Sequence, residues 1–192
     1  DTGAMYRTSG LAVCRKGIAG EDTEGIKSVL PGLRVGIAYE NGAQHVLLNG
    51  EDVSDAIRTP EIAYYASKVS AVPEVREFLL STQRDMAKNG NILMDGRDIG
   101  TVVFPDAELK IFMTADPAVR ARRRYDELRA KGDDVSLEEI ERNVRERDRA
   151  DMSRAVSPLR QAPDAVVLDN SRMSVEEQMA WFMELFERRI AE

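Results

Sequence analysis

Acidic and basic side chains that could bind a phosphate and a metal ion are close together at Asp95-Gly96-Arg97-Asp98. A carboxylate can hold the water shell of Mg²⁺, and an arginine guanidinium can form two parallel hydrogen bonds to phosphate oxygens. The stretch therefore suits a metal-bound phosphate. A simple turn in which Asp95 pairs with Arg97 would account for this four-residue stretch equally well.

A second concentration of charge is the arginine-rich region in which six arginines fall between residues 142 and 160. If the helix predicted there continues, Arg147, Asp151 and Arg154 share one face, which suits a polyanion attached to a sugar. For any one of these charged residues, the simpler interpretation is that it lies on a solvent-exposed helix face and forms a Glu–Arg ion pair there. Ser136 and Glu139 predict a capping box at the start of this helix, and its thin apolar stripe predicts a mobile flap.

Two further clusters are less specific. Arg122, Arg123 and Arg124 point about 100° apart on a helix, so at most two of them can share a ligand. Thr2 and Arg7 lie at the junction between a turn and a helix. A helix N-cap by itself explains a threonine or aspartate at such a junction.

The first half of the chain predicts helices around a small antiparallel β module. Apolar residues alternate from Leu33 to Leu48, and Asn41-Gly42 between them is typical of a hairpin turn. The helices predicted on either side of this module are Ala4 to about Ala19, Thr59-Pro60 to Ser67, and Pro73 to about Met86.

The second half predicts a parallel α/β sheet flanked by helices. The short apolar runs that predict its buried strands are Ile92-Leu93-Met94, Leu109 to Met113, and Ala165 to Leu168. A helix follows each of the last two, one after Asp116-Pro117 and one after a Ser174–Glu177 capping box. Ligands bind at the carboxyl ends of the strands in such sheets, where Asp95 and Asp98 are predicted to lie.

Composition excludes several classes of protein. The net charge of −7 argues against binding to nucleic acid, although local arginines can still attract a small anion. No apolar run approaches the roughly 18–20 residues that span a membrane. Cys14 and His45 are the only residues of their types, which excludes an internal disulfide and the usual zinc sites and suits the cytoplasm.

Several stretches, in order along the whole chain, resemble the bacterial-type cytidylate kinases, a family of nucleoside monophosphate (NMP) kinases. The β module resembles the insertion that distinguishes this family from short adenylate kinases. The most recognisable match is Gly96 to Ala107; the others are Asp1 to Arg7, Arg147-Asp148-Arg149 with Asp151 and Arg154, Ser157-Pro158-Leu159, and Asp164-Ala165.

The resemblance implies a P-loop NMP kinase-like fold in which a small antiparallel β insertion lies in the NMP-binding region and a helical lid covers the site. The implied parts are a kinase core of residues 1–30, 88–130 and 160–192, an NMP-binding domain of residues 31–87, and a lid of residues 131–159.

The resemblance also implies a reaction and its site residues. ATP would transfer its γ-phosphoryl group to CMP or dCMP, with Mg²⁺, in a monomer. The implied roles are cytosine recognition by Thr2, Arg76 and Asp98, sugar contacts by Ser67, Arg147 and Asp151, an α-phosphate clamp of Arg7, Arg97 and Arg154, a water-mediated Mg²⁺ contact by Asp95, and an ATP contact by Arg123. Among these, Asp95, Arg97, Arg147 and Arg154 would act in catalysis.

One departure from the family concerns the ATP site. Family members carry a G-x-x-x-x-G-K-[ST] loop whose backbone N–H groups bind ATP phosphates, and no such stretch occurs in these 192 residues. We therefore expect about 25–35 further residues before Asp1 in the natural chain, judged from one P-loop unit and a strand.

Without that loop, residues 1–192 are expected to bind nucleotide poorly and to show negligible turnover. Robust CMP-dependent ATP consumption by these residues alone would contradict this expectation.

Two alternatives remain at this stage. The chain could belong to another pyrimidine NMP kinase, or it could be a non-catalytic nucleotide-binding fragment. Activity measured on a panel of nucleoside monophosphates would distinguish another pyrimidine NMP kinase from a CMP kinase. The presence of the arginines that the family uses argues against a non-catalytic fragment.

Overall fold

The computed structural model describes residues 1–191, apart from the side chain of residue 89, and divides into two compact units. Unit 1 covers Asp1–Ile99 and unit 2 begins at Gly100. In the part of the chain described, no helix combines the length and the apolar character that crossing a membrane requires.

Unit 1 combines four α-helices with a three-stranded antiparallel sheet in the order β1-β2-β3. Its core includes the fully buried side chains of Met5, Ile26 and Leu79. The elements are α1 (Thr2–Arg15), α2 (Thr23–Val29), β1 (Val35–Glu40), β2 (Ala43–Leu48), β3 (Glu51–Asp52), α3 (Pro60–Ser70) and α4 (Pro73–Met86).

The predicted β hairpin is confirmed. Strands β1 and β2 pair antiparallel, with Glu40 opposite Ala43 across a two-residue turn. Asn41 and Gly42 both have positive φ angles, 52° and 77°, as a type I′ turn requires. Because the turn fixes the register, the alternating pattern of the sequence sets which side chains face the core.

Three helices of unit 1 lie where the sequence predicts them, although α1 and α3 have different ends, and α2 was not predicted. Helix α1 begins at Thr2 because the Asp1 carboxylate accepts a hydrogen bond from the backbone N–H of Ala4. It ends at Arg15 rather than near residue 19, and Gly17 follows with a φ of +67°. Thr59 caps α3, which continues to Ser70.

His45 on β2 and Asp52 on β3 form a pH-sensitive pair, with 2.6 Å between Nδ1 and Oδ2. The hydrogen bond to Asp52 raises the pKa of His45 above its ordinary 6.5. Hydrogen bonds from Ser54, and then from His45, lower the pKa of Asp52 to about 2. The pair therefore stabilises the sheet fully when the pH lies above the ordinary pKa of Asp52 and below the ordinary pKa of His45.

We predict that the melting temperature falls as the pH rises from about 6 through the raised pKa of His45, because the folded state then loses the proton it favours. Thermal melts across this range in His45→Gln should have a flatter pH dependence. His45 is the only histidine in the chain, so no other imidazole contributes. An unchanged pH dependence in His45→Gln would contradict the assignment.

Unit 2 contains a two-stranded parallel sheet and three helices, which confirms the predicted α/β class. Its capping signals are confirmed at Asp116, whose carboxylate accepts from the N–H of Ala118, and at the Ser174–Glu177 capping box. The elements are β4 (Ile111–Thr114), α5 (Pro117–Ala130), α6 (Leu137–Ser153), β5 (Val166–Asp169) and α7 (Val175–Ile190).

The other predicted capping box forms only in part. The Ser136 hydroxyl oxygen accepts from the N–H of Glu139 at 3.4 Å, as predicted, but Ser136 donates to Glu138. The predicted mobility of α6 stays a prediction.

The predicted strand at Ile92-Leu93-Met94 is wrong. This segment forms no strand, and the Leu93 side chain is 82% exposed. A short apolar run becomes a strand only when a neighbouring strand pairs with its backbone, and within residues 1–191 none pairs with this one. Asp95 therefore does not follow a strand, and a π-helical turn at Ile99–Val103 comes shortly after it.

Candidate functional site

A buried ion pair between Arg76 and Asp98 is the centre of the candidate site in unit 1. Nη2 of Arg76 donates to the Asp98 carboxylate, and the two side chains are only 6% and 9% exposed. Nη1 of Arg76 donates to the Ser70 carbonyl oxygen at 3.2 Å. Arg76 can reach this position because it lies on the buried face of α4, beside Val75 and Leu79.

Thr2 is held beside the same loop as Asp98. Its hydroxyl donates to the carbonyl oxygen of Asp95 at 2.8 Å, and its backbone N–H donates to the same oxygen at 3.1 Å. Thr2 is 4% exposed. Because the hydroxyl proton is used in this bond, the Thr2 oxygen can only accept a hydrogen bond from a ligand.

The other residues of unit 1 with predicted roles have different environments. Arg7 is half-buried, and its Nη1 donates to the Ile57 carbonyl oxygen at 3.3 Å. Ser67 is half-buried on α3, where its carbonyl oxygen accepts from the Ser70 hydroxyl. Arg97 and Asp95 are exposed. Unit 1 thus brings Arg76 and Asp98 together directly and ties Thr2 to the same loop.

In unit 2, Asp151 and Arg154 form a second ion pair with little exposure. The closest N···O distance is 3.1 Å, and the side chains are 11% and 10% exposed. Nη2 of Arg154 also donates to the carbonyl oxygen of Ser157 at 3.1 Å. Ser157 has a φ of +49°, a strained backbone conformation for a residue with a side chain, and such strain is common at functional sites.

The predicted continuation of the arginine-rich helix is only partly correct. Helix α6 contains Arg147 and Asp151, but it ends at Ser153, and Arg154 lies at its C-cap with an extended ψ of 140°. Arg154 therefore contacts Asp151 because the backbone changes direction at the end of the helix, and not because the two residues share one helix face. Arg147 is exposed on α6.

Arg123 lies on α5 and contacts the end of β5. Its guanidinium donates to the side-chain oxygen of Asn170 at 3.2 Å and to the Asn170 carbonyl oxygen at 2.7 Å. These bonds give Arg123 a structural role within unit 2, and the predicted ATP contact stays a prediction.

Comparison with known proteins identifies the family. A family model described as cytidylate kinase matches residues 1–188. The chain belongs to the cytidylate kinase family. It is similar to the cytidylate kinase of Phocaeicola vulgatus, with 51% identity over 195 aligned residues that cover 99% of this chain and 85% of the relative.

Other cytidylate kinases have similar levels of identity. That of Porphyromonas gingivalis is 48% identical, covering 97% of this chain and 84% of the relative. That of Syntrophotalea carbinolica is 46% identical, covering 98% of this chain and 80% of the relative. The match along nearly the whole chain confirms the predicted family and its NMP kinase-like fold class.

The environment of Asp95 fits the kind of Mg²⁺ contact predicted for a cytidylate kinase. Its side chain is 77% exposed, so its oxygens can accept hydrogen bonds from metal-bound water. Mg²⁺ usually keeps several waters and uses only one or two protein carboxylates. Among the described residues, no cluster of three potential metal ligands occurs.

One contact between α5 and α6 was not predicted from the sequence. Arg120 on α5 forms two hydrogen bonds to the carboxylate of Asp148 on α6, and its Nε donates to the Ala115 carbonyl oxygen. The hydrogen bond to Asp148 raises the pKa of Arg120. A local pattern cannot indicate a pair of residues 28 positions apart, although Asp148 itself belongs to a stretch on which the family resemblance rests.

Gly96 keeps the space next to the Thr2 hydroxyl open. A Cβ atom at position 96 would lie 2.4 Å from the Thr2 hydroxyl oxygen and 2.8 Å from Cδ1 of Ile99. Both distances are too short for real contacts, so a side chain at this position must displace Thr2 or the loop.

We predict that Gly96→Ala raises the KM for CMP by about 10-fold, because the displaced Thr2 loses its hydrogen bond to Asp95. Steady-state kinetics of the natural gene product measure this. Gly32→Ala is the matched control, since a Cβ there would meet nothing within 4 Å. Equal KM values in Gly96→Ala and in the control would contradict the prediction.

Proposed function

We propose that the protein transfers the γ-phosphoryl group of ATP to the phosphate of CMP or dCMP, giving CDP or dCDP. The observation that carries this proposal is the buried Arg76–Asp98 pair in the same unit as Thr2, whose hydroxyl oxygen is restricted to accepting. Membership of the cytidylate kinase family supports it.

The proposed base-recognition groups match the hydrogen-bonding edge of cytosine. Cytosine has an exocyclic amino group, which can donate to the Asp98 carboxylate and to the Thr2 oxygen. Its ring nitrogen and carbonyl oxygen accept, and the Arg76 guanidinium donates. Uracil has a carbonyl in place of the amino group and would leave buried acceptors unpaired, which a site of this kind rejects strongly.

Separate groups are proposed to hold the sugar and the phosphate. Ser67, Arg147 and Asp151 would contact the sugar, and their hydroxyl, guanidinium and carboxylate groups suit its hydroxyls. Arg7, Arg97 and Arg154 would bind the α-phosphate, which they can do through paired N–H groups. Arg123 is proposed to contact ATP in addition to its bonds with Asn170.

The chemical step needs positioning and charge neutralisation rather than a side-chain base. The attacking phosphate oxygen of CMP is already an anion, and Arg97, Arg147 and Arg154 would stabilise the charge that spreads over the transferred group. When bound, Mg²⁺ would supply further charge neutralisation, and the Asp95 carboxylate would hold it through water. Exclusion of water by the lid would prevent hydrolysis of ATP.

Product analysis tests the proposed reaction. We expect the natural gene product, incubated with ATP and CMP, to form equal amounts of ADP and CDP, as resolved by ³¹P NMR or ion-exchange chromatography. ADP without CDP would indicate hydrolysis, and transfer to UMP or AMP in preference to CMP would indicate another NMP kinase. Either result would contradict the proposal.

The remaining expectations from the sequence are kept as proposals. They are a monomeric state, a cytoplasmic location, no binding to nucleic acid, and the three-part division into core, NMP-binding domain and lid. Light scattering at enzyme-assay concentrations tests the first, since a molecular mass of two chains would contradict it.

A further inference from the structure

Only part of the Arg76 guanidinium is used by protein acceptors. Its two terminal nitrogens donate to Ser70 and Asp98. Its Nε is buried, and among the described residues it has no hydrogen-bond acceptor. These two bonds restrain the guanidinium, but they leave one buried N–H to be stabilised in another way.

An aromatic ring covers the guanidinium of Arg76. The ring centroid of Tyr6 lies 5.3 Å from Cζ of Arg76, within the range in which a cation is attracted to an aromatic face. Tyr6 lies four residues after Thr2 on α1, so the two side chains are on the same face of the helix. The ring is partly buried and packs against the core of unit 1, which restricts its movement.

We infer that Tyr6 is a positioning residue for base recognition, because its ring fixes the plane of the Arg76 guanidinium that binds cytosine. This inference rests on the proposed function. A planar, delocalised guanidinium is attracted to an aromatic face, and removal of water strengthens the attraction. Since α1 carries both Thr2 and Tyr6, one helix would place an acceptor for the cytosine amino group and also orient the main donor.

The ring also contributes to the core, so the test must separate orientation of Arg76 from stability. In Tyr6→Leu we expect the KM for CMP to rise about 10-fold and the CMP-to-UMP ratio of kcat/KM to fall by a similar factor. The kcat for CMP should change by less than about threefold, because the residues proposed to bind the phosphate and to stabilise its transfer do not include Tyr6. Tyr6→Phe keeps the aromatic face and should stay within about threefold of the unmodified protein.

A matched control is available in unit 2. Arg122 and Tyr125 on α5 form a similar contact, with 5.5 Å between Cζ and the ring centroid. Tyr125→Leu removes an equivalent ring from a position with no proposed role in recognition. Its KM for CMP and its CMP-to-UMP ratio should equal those of the unmodified protein.

If Tyr6→Leu does not fold, phenylalanines with increasing fluorination at position 6 provide the same test with nearly constant shape. Fluorine withdraws charge from the ring face, so the KM for CMP should rise steadily along the series. A KM that is constant along the series, or unchanged in a folded Tyr6→Leu protein, would overturn the inference while leaving CMP phosphorylation intact. Failure of the unmodified protein to phosphorylate CMP would overturn the proposed function and this inference with it.

Discussion

Asp98→Ala is expected to lower kcat/KM for CMP by about 1,000-fold and to bring the values for CMP and UMP within about 10-fold of each other. Asp98 is the proposed acceptor for the cytosine amino group, and its removal also leaves the Arg76 cation buried without its carboxylate. Loss of one partner of a buried pair costs about 3–5 kcal/mol of stability. Steady-state kinetics with both monophosphates and urea unfolding measure the two effects.

Loss of recognition can be separated from loss of stability by removing both charges. The double variant Arg76→Met with Asp98→Leu replaces the ion pair with apolar side chains, which often restores stability. We expect it to unfold at nearly the urea concentration of the unmodified protein but to recognise CMP no better than UMP.

A surface pair that involves the helix carrying Arg76 is the control for Asp98→Ala. Glu74 on α4 contacts Lys27 at 2.9 Å, and because this pair is exposed to solvent, Glu74→Gln should unfold at nearly the same urea concentration as the unmodified protein, with normal kinetics. A folded Asp98→Ala protein that retained the full preference for CMP would show that Asp98 does not read the base.

Arg154→Met is expected to reduce kcat by about 1,000-fold or more, which is the usual effect of losing an arginine that stabilises a transferred phosphoryl group. Asp151 and the Ser157 carbonyl oxygen hold the Arg154 guanidinium at 3.1 Å each. Arg154→Lys keeps the charge but loses the planar set of donors, and we expect it to recover only a small part of the activity. Single-turnover kinetics measure the chemical step directly.

Another arginine of the same region is the control for Arg154. Arg145 on α6 pairs with Glu141 at 2.6 Å, and its side chain is 52% exposed. Arg145→Gln removes one positive charge from the helix that ends next to Arg154, and its kcat should stay within about twofold of normal. A similar loss of kcat in both variants would indicate a general charge effect and contradict the role assigned to Arg154.

Local sequence signals predicted much of the fold. The Asn41-Gly42 turn requires positive φ angles at two successive residues, and few other sequences adopt them. Asp116, Thr59 and Ser174 cap helices through bonds to backbone groups two or three residues away. Each of these features depends on neighbours in the chain, so a short stretch of sequence is sufficient to indicate it.

The features that were missed depend on contacts beyond the immediate neighbours in the chain. Ile92-Leu93-Met94 has the composition of a strand, but a strand also needs a paired neighbour, which a local pattern cannot show. The end of α6 before Arg154 is set by tertiary bonds, including that from the N–H of Leu159 to the Asp151 carbonyl oxygen. The residues around this end all favour a helix, so the sequence alone does not indicate that α6 stops there.

For the candidate site, the family resemblance indicated the residues, but only the structure showed the contacts between them. The resemblance supplied Arg76 and Asp98 as separate residues 22 positions apart, and the structure showed that they form a buried pair. It supplied Thr2 as a contact to the cytosine base, and the structure showed that its hydroxyl donates a hydrogen bond to the Asp95 carbonyl oxygen. The sequence does not indicate which acceptor a hydroxyl donates to, because that depends on the carbonyl groups around it in the fold.

The ratio of kcat/KM for CMP to that for UMP, measured on the natural gene product with saturating ATP, tests the central claim most directly. A site that binds cytosine through Thr2, Arg76 and Asp98 should prefer CMP by about 1,000-fold or more, because uracil leaves its buried acceptors unpaired. Equal values for the two monophosphates, or a preference for UMP, would contradict this account of the site.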